Sequence, residues 1–209
     1  MRISIFGATG QVGRQLVRLA LYQGHQVKAY GRNIYNAGFQ DDDKLELCQG
    51  GLFDEDLVKD AVEGSDAVLS VIGGSFDGTD KARSLGMKYI IAAMQKNKVK
   101  RIIALGGKGQ LDGPEGQMLM DDPEFPEIFL PVSREHLKAL QQLTDSGLDW
   151  TFICSPDIID GDPTGHFLTS AHTAPTPDKN RVFSGDLALC MLQELQKNEY
   201  LHQRVGISN

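Results

Sequence analysis

From its first residues the chain alternates short, β-prone apolar runs with longer stretches in which apolar residues recur every three or four positions. Ile3, Ile5 and Phe6 run into a glycine turn, after which Val12, Leu16, Val17, Leu19, Ala20 and Leu21 follow at roughly helical spacing, with Gly24 as a helix stop. Strands are predicted over Gln26–Arg32 and Leu45–Cys48, and Asp54 stands where it can cap a helix carrying Leu57, Val58 and Val62. The rhythm continues with a strand at Ala67–Ile72, a helix around Lys81–Lys96, a strand at Arg101–Leu105, a helix around Arg134–Asp145 and a strand at Trp150–Cys154. A capped amphipathic helix over Ser184–Gln196 and an edge strand over Arg204–Ile207 complete the pattern. Parallel strands need crossover helices, so this alternation predicts an α/β fold of the doubly wound class, a mostly parallel sheet with helices on both faces.

Two segments break the rhythm. Residues 108–131 are rich in Gly, Pro, Met and acidic side chains, and residues 156–180 in Pro, Thr, Gly and His. Each begins where a late strand ends, the edge at which open α/β sheets receive ligands, so both are candidate substrate loops; the alternative is a pair of plain surface excursions. With no internal repeat, low-complexity tract or linker, residues 1–209 are expected to form a single domain.

Composition narrows the partners. Hydrophobic residues at 41% and charged residues at 23% suit an ordinary globular core. The formal charge of −7, with no basic cluster, argues against nucleic acid. The run Asp41–Asp43 reads as a solvated turn, and His25, His136, His166, His172 and His202 show no metal-ligand spacing. Cys48, Cys154 and Cys190 are odd in number and far apart, which suits buried thiols in a reducing compartment. With neither a leader-like start nor a run of about 18 apolar residues, the expectation is a cytoplasmic protein with no membrane partner.

The strongest chemical signal is Gly7-Ala8-Thr9-Gly10-Gln11-Val12-Gly13, placed between a strand and a helix. Gly7 permits the sharp exit from the strand, Gly10 lets backbone approach a pyrophosphate, and Gly13 lets the helix pack closely on the sheet. Backbone N–H groups and the positive end of the helix dipole then face the phosphate charge. This turn marks a Rossmann-type site for a nicotinamide dinucleotide. At the end of the second strand the chain reads Tyr30-Gly31-Arg32-Asn33, without the carboxylate that would hold the ribose hydroxyls of NAD. Arg32 can pair with a 2′-phosphate, so NADP is preferred over NAD.

These residues, together with EGSDAVLSVIGG, AAMQKNKVKRIIALGG, SGLDWTFICSP and SGDLALCMLQEL, resemble the atypical short-chain dehydrogenase/reductases, in particular the NmrA-like group and its biliverdin-IXβ/flavin reductase branch. The resemblance spans nearly the whole chain. It implies cofactor contacts from Gly7 to Gly13, from Arg32, and from Ile72, Gly73 and Gly74 near the ribose and nicotinamide, with Leu52 beside the adenine. The family commonly has an Asp where Gly51 stands here, so that side-chain contact is lost.

The catalytic positions depart further. Many relatives carry Ser or Thr after the fifth strand, where this chain has Gly106 and Gly107, and there is no Tyr-xxx-Lys pair. His136 occupies the approximate place of the usual lysine, and a histidine also stands near here in the flavin-reductase branch. It is either a pocket residue and proton donor or a solvent-exposed helix histidine, and Ser133 is either an N-cap or a catalytic hydroxyl.

Carbonyl reduction needs a positioned proton donor, whereas an electron-poor ring accepts hydride and is protonated by solvent. The leading expectation is therefore an NADPH-dependent reductase of a planar conjugated small molecule such as a flavin or quinone. The alternative is a non-catalytic redox sensor of the NmrA-like type that binds NAD(P) and presents a surface to a protein partner. An epimerase-like activity on a nucleotide sugar is disfavoured by the missing Tyr-Lys pair and the short C-terminal part.

Overall fold

The computed structural model describes residues 1–209. Its strands and helices follow in the order β1 (Arg2–Phe6), α1 (Gln11–Tyr22), β2 (Gln26–Gly31), β3 (Leu45–Gln49), α2 (Glu55–Val62), β4 (Ala67–Ser70), α3 (Ala82–Asn97) and β5 (Arg101–Gly107). The second half adds α4 (Leu130–Thr144), β6 (Asp149–Ser155), β7 (Asp157–Ile159), β8 (Leu168–Ala171), β9 (Arg181–Phe183), α5 (Ser184–Lys197) and β10 (Gln203–Ser208). Eight strands form one sheet in the order β3-β2-β1-β4-β5-β6-β10-β8. All neighbours in it are parallel except β8, which runs antiparallel along β10. β7 and β9 pair apart from it in a small parallel ribbon.

Alternation along the strands divides the core between two faces. Ile3, Ile5, Ile103, Ile153 and Val205 pack with α1 and α5, whereas Phe6, Val68, Ile102, Ala104 and Phe152 pack with α2, α3 and α4. This is the expected doubly wound Rossmann-type architecture. The strand order turns back between β1 and β4, and the carboxyl ends of β1, β4, β5 and β6 share one edge of the sheet, so the glycine turn and both irregular segments open on the same side.

Buried polar clusters brace the rest. At the opposite edge the Arg101 guanidinium meets Glu194 at 2.7 Å, and Glu194 also accepts from the Thr151 hydroxyl and the Tyr200 N–H, tying β5 and β6 to α5. Asp186, fully buried, accepts from the Thr164 and Gly165 N–H groups and from the Asn209 amide, which fastens the 156–180 segment and the chain end to α5.

Several expectations need correction. β10 is not an edge strand: β8, from the segment read as loop, covers it, and only four residues of Leu-Thr-Ser-Ala left too short a pattern to detect. Helix α4 starts at Leu130 rather than near Arg134, because Pro131 fits the first turn of a helix instead of breaking it. Ser133 is consequently inside the helix and is not its N-cap. α5 has no side-chain cap, and most of its circumference is buried between α1 and the sheet, so it is not amphipathic in the expected sense. Asp54 does cap α2, accepting from the Leu57 N–H at 3.1 Å. Cys154 and Cys190 are buried but Cys48 only half so; burial, helped at Cys48 by Glu46, pushes the three thiols up to about 11 or 12.

Candidate functional site

The glycine turn has the geometry its spacing implies. Gly7 leaves β1 with φ +84°, and a Cβ there would lie 2.6 Å from the Val71 carbonyl oxygen. At Gly13 a Cβ would overlap the Gly7 carbonyl oxygen and come within 2.7 Å of the Ala8 Cα. At Gly10 the nearest atom would be 3.4 Å away, so the space over that backbone is open. Gly10 gives α1 no side-chain cap, and the first turn has no acidic residue. The N–H groups of Gln11, Val12 and Gly13 are among the donors that an α-helix leaves unpaired at its start.

Around the turn, buried Ala8 donates its N–H to Tyr30, and the Thr9 carbonyl accepts from Arg14 Nε at 3.0 Å. A bare backbone cradle, free helix donors and open space above Gly10 fit a dinucleotide pyrophosphate.

Arg32 follows the end of β2 as an exposed residue, and no ion pair engages its guanidinium. Leu52 and Ile72 meet over Gly86, where an added Cβ would lie 3.3 Å from Leu52 Cδ1 and 3.1 Å from Ile72 Cδ1. The Tyr30 hydroxyl donates to the Gly51 carbonyl at 2.8 Å and fills the place of a side chain at Gly50, so this corner is shaped by Tyr30 without a carboxylate. Gly73 and Gly74 are exposed beyond β4.

Gln11, Ile72 and Gly73 border a cavity of about 750 Å³ at the carboxyl edge of the sheet. Its floor is the backbone of Gly106 and Gly107, and its apolar walls include Phe76, Phe125, Phe129, Val132 and Ile158. The ring of Phe152 occupies the volume a side chain at Gly106 would need: an added Cβ would overlap Cε1 and lie 2.5 Å from Cζ. Gly107 is less confined, its imagined Cβ standing 3.2 Å from His136 Cδ2. Both candidate loops contribute, 108–131 through residues such as Phe125 and 156–180 through Asp157 and Asn180. Met118 does not enter the cavity and packs instead against the core on the α2–α4 side.

His136 lines this cavity and is not a solvent-exposed helix histidine. Burial first, and the Arg83 charge second, pull its imidazolium down to about 3 against the opposing pull of Glu135. At neutral pH the ring is uncharged, able to offer or accept a hydrogen bond but not to hold a spare proton. The unfolded chain gains a proton near pH 6.5 that folded His136 refuses until about pH 3, so this residue's contribution to stability is complete above 6.5 and is lost as pH falls below it. His136→Gln is therefore expected to reduce the drop in melting temperature between pH 7 and pH 5; an unchanged drop would contradict a neutral His136.

Arg83 was not anticipated. It is about nine-tenths buried, lines the cavity, and donates to the carbonyls of Gly74 and Ser75, both at 3.0 Å, while its Nε has no partner. The available signal was its place on the stripe Arg83, Met87, Ile90, Ile91 and Met94, where a charge stands among inward-facing apolar residues of α3. The aromatic walls Phe76 and Phe125 had no such signal. Ser133, with the cap reading removed, lines the cavity from α4.

A bare glycine turn at the strand switch and an open cavity beside it define a nicotinamide-dinucleotide-binding protein of Rossmann type. Residues 7–198 match the NAD(P)H-binding family, and the chain belongs to it. It is 30% identical over 216 residues to the uncharacterized protein YwnB of Bacillus subtilis, covering 99% of this chain and 98% of that one. A crystal structure from Streptococcus pneumoniae, described as a candidate NADH-flavin reductase, superposes with a TM-score of 0.85 at 27% identity, covering 100% of this chain and 99% of that one. A candidate epimerase from Bacteroides thetaiotaomicron gives a TM-score of 0.86, also at 27% identity, over 99% and 96% of the two chains. Membership of the NAD(P)H-binding family agrees with the resemblance read from the sequence. No helix is long and apolar enough to cross a membrane.

Proposed function

We propose that this protein is an NADPH-dependent reductase of planar conjugated acceptors, flavins or quinones. The observation that carries the reading is the cavity itself: an open, aromatic-walled space beside Gln11, Ile72 and Gly73, floored by backbone at Gly106 and Gly107 with no side-chain acid at those two positions. Such a floor admits a flat ring, and aromatic walls favour one. The name of the Streptococcus pneumoniae neighbour points the same way. The missing Tyr-Lys pair weighs against the epimerase suggested by the other neighbour's name.

In this reading Gly7, Ala8, Thr9, Gly10, Gln11, Val12 and Gly13 hold the pyrophosphate, Arg32 pairs with the 2′-phosphate, and Leu52 packs by the adenine. Ile72, Gly73 and Gly74 border the ribose and nicotinamide. The bound nicotinamide supplies the hydride. Phe76 and Phe125 hold the acceptor ring flat and exclude water from its faces. His136 contributes a neutral hydrogen bond to a ring heteroatom, and the final proton comes from solvent.

The experiment is NADPH oxidation by the purified protein with panels of flavins and quinones; turnover no faster than in free solution for every acceptor would overturn the reading. Dinucleotide binding is measured in parallel. Arg32→Ala is expected to weaken NADPH by about tenfold, the scale of one exposed charge-assisted contact, and to leave NADH unchanged. Equal loss for both cofactors, or none, would remove the assignment of Arg32.

A further inference from the structure

The charges around the cavity mouth distinguish among acceptors of the same ring chemistry. Asp122 and Glu124 from the 108–131 segment and Asp157 from β7 all line the cavity, and none of the three is in an ion pair. Asp122 is fixed by accepting from the Glu124 N–H at 2.8 Å, so both residues belong to one tight turn of the lining. Lys108 also lines the cavity, but Asp178 neutralises it at 2.6 Å and Asn180 accepts from it at 2.8 Å. The remaining cation, Arg83, lies deep on the α3 side, committed to the Gly74 and Ser75 carbonyls. Lys179 and Arg181 flank Asn180 without lining the cavity. Glu124 and Asp157 are exposed and Asp122 half-buried, and against these three unpaired carboxylates stands only the buried charge of Arg83, so the entrance carries a net negative charge that repels anions.

From this arrangement we infer that the acceptor site selects planar rings without a phosphate, so that riboflavin or an uncharged quinone is reduced in preference to FMN. The inference rests on the reductase reading above and names its substrate class. Hydride passes from the dihydronicotinamide to the ring, leaving an oxidised nicotinamide and a ring anion that takes one proton from solvent, so one hydride and one proton, two electrons and two hydrogens in all, complete the reduced acceptor. The phosphate of FMN takes no part in that step. Riboflavin and FMN present the same ring and differ in the tail that must pass, or stay near, Asp122, Glu124 and Asp157.

The test compares kcat/KM for riboflavin and FMN at saturating NADPH, at low and high salt, in the unaltered protein and in the triple variant Asp122→Asn, Glu124→Gln, Asp157→Asn. Three carboxylates at partly screened range are expected to give about a tenfold preference for riboflavin at low salt. That preference should shrink toward equality at high salt and in the triple variant, with 1,4-naphthoquinone and its 2-sulfonate repeating the pattern. Equal efficiency for the two flavins at low salt, or a preference unchanged in the triple variant, would overturn the inference while leaving the reductase reading in place. Absence of turnover with riboflavin, FMN and both quinones would instead remove the reductase reading itself. A thermal melt matching that of the unaltered protein establishes that the triple variant is folded.

Discussion

Gly13→Ala is expected to lower stability by about 3 kcal/mol, at the upper end of the range for overpacking a close contact, and to weaken dinucleotide binding at least about tenfold. The added methyl would overlap the Gly7 carbonyl oxygen and press on the Ala8 Cα at 2.7 Å, both of them backbone atoms with no rotamer to yield. Relief requires α1 to lift from the sheet, and its apolar face of Val12, Leu16, Val17 and Ala20 lifts with it. Gly10→Ala is the informative companion. Its methyl meets nothing closer than 3.4 Å, so the fold should lose under about 1 kcal/mol, as at an ordinary glycine N-cap, while dinucleotide binding still suffers because the methyl stands in the open space over the turn. Thermal melts and titrations of both variants separate packing from ligand approach. If Gly10→Ala leaves dinucleotide affinity untouched, the pyrophosphate does not sit over this turn.

The second large effect is expected at Gly106→Ser, the substitution that would introduce the hydroxyl the family resemblance leads one to expect there. Rather than adding a catalytic group, it should destabilise by about 3 kcal/mol and lower the melting temperature by about 10 °C for a chain of this size. Phe152 is fully buried and its ring fills the space, with Cζ and Cδ1 2.5 and 2.6 Å from the new Cβ. Gly106→Ser combined with Phe152→Leu should recover stability relative to the sum of the two single changes, because the residues share one volume. Strict additivity in a double-mutant cycle would show that the backbone, not Phe152, absorbs the serine.

Much of the fold was legible because its cues are local. Ile3, Ile5 and Phe6 before Gly7, and the Val12–Leu21 periodicity after it, announce a strand, turn and helix without any distant partner. β8 was hidden for the opposite reason: Leu168–Ala171 becomes a strand only by pairing with β10, and no alternation marks four residues whose partner is more than thirty positions away. The start of α4 was obscured by Pro131, which carries opposite meanings at the first turn and in the interior of a helix.

The site divides in the same way. The glycine turn is one contiguous segment, so its spacing conveyed its geometry. The cavity beside it is assembled from α3, α4, β5 and two irregular segments, and the packing of Phe76 against open space or of Arg83 beneath Gly74 follows from the folded topology alone. Even His136, singled out by its approximate place in a family pattern, disclosed nothing of its protonation until burial and Arg83 were placed around it.

The contact between Gly106 and Phe152 also bears on ancestry. If the line leading to this chain once had a serine or threonine at position 106, that side chain had to shrink before the bulky ring could settle opposite it, since the reverse order passes through an overcrowded intermediate. Once the ring was in place, a single reversion became costly. The pair acts as a ratchet: with Phe152 in place, a hydroxyl side chain at position 106 is costly to gain by one substitution alone.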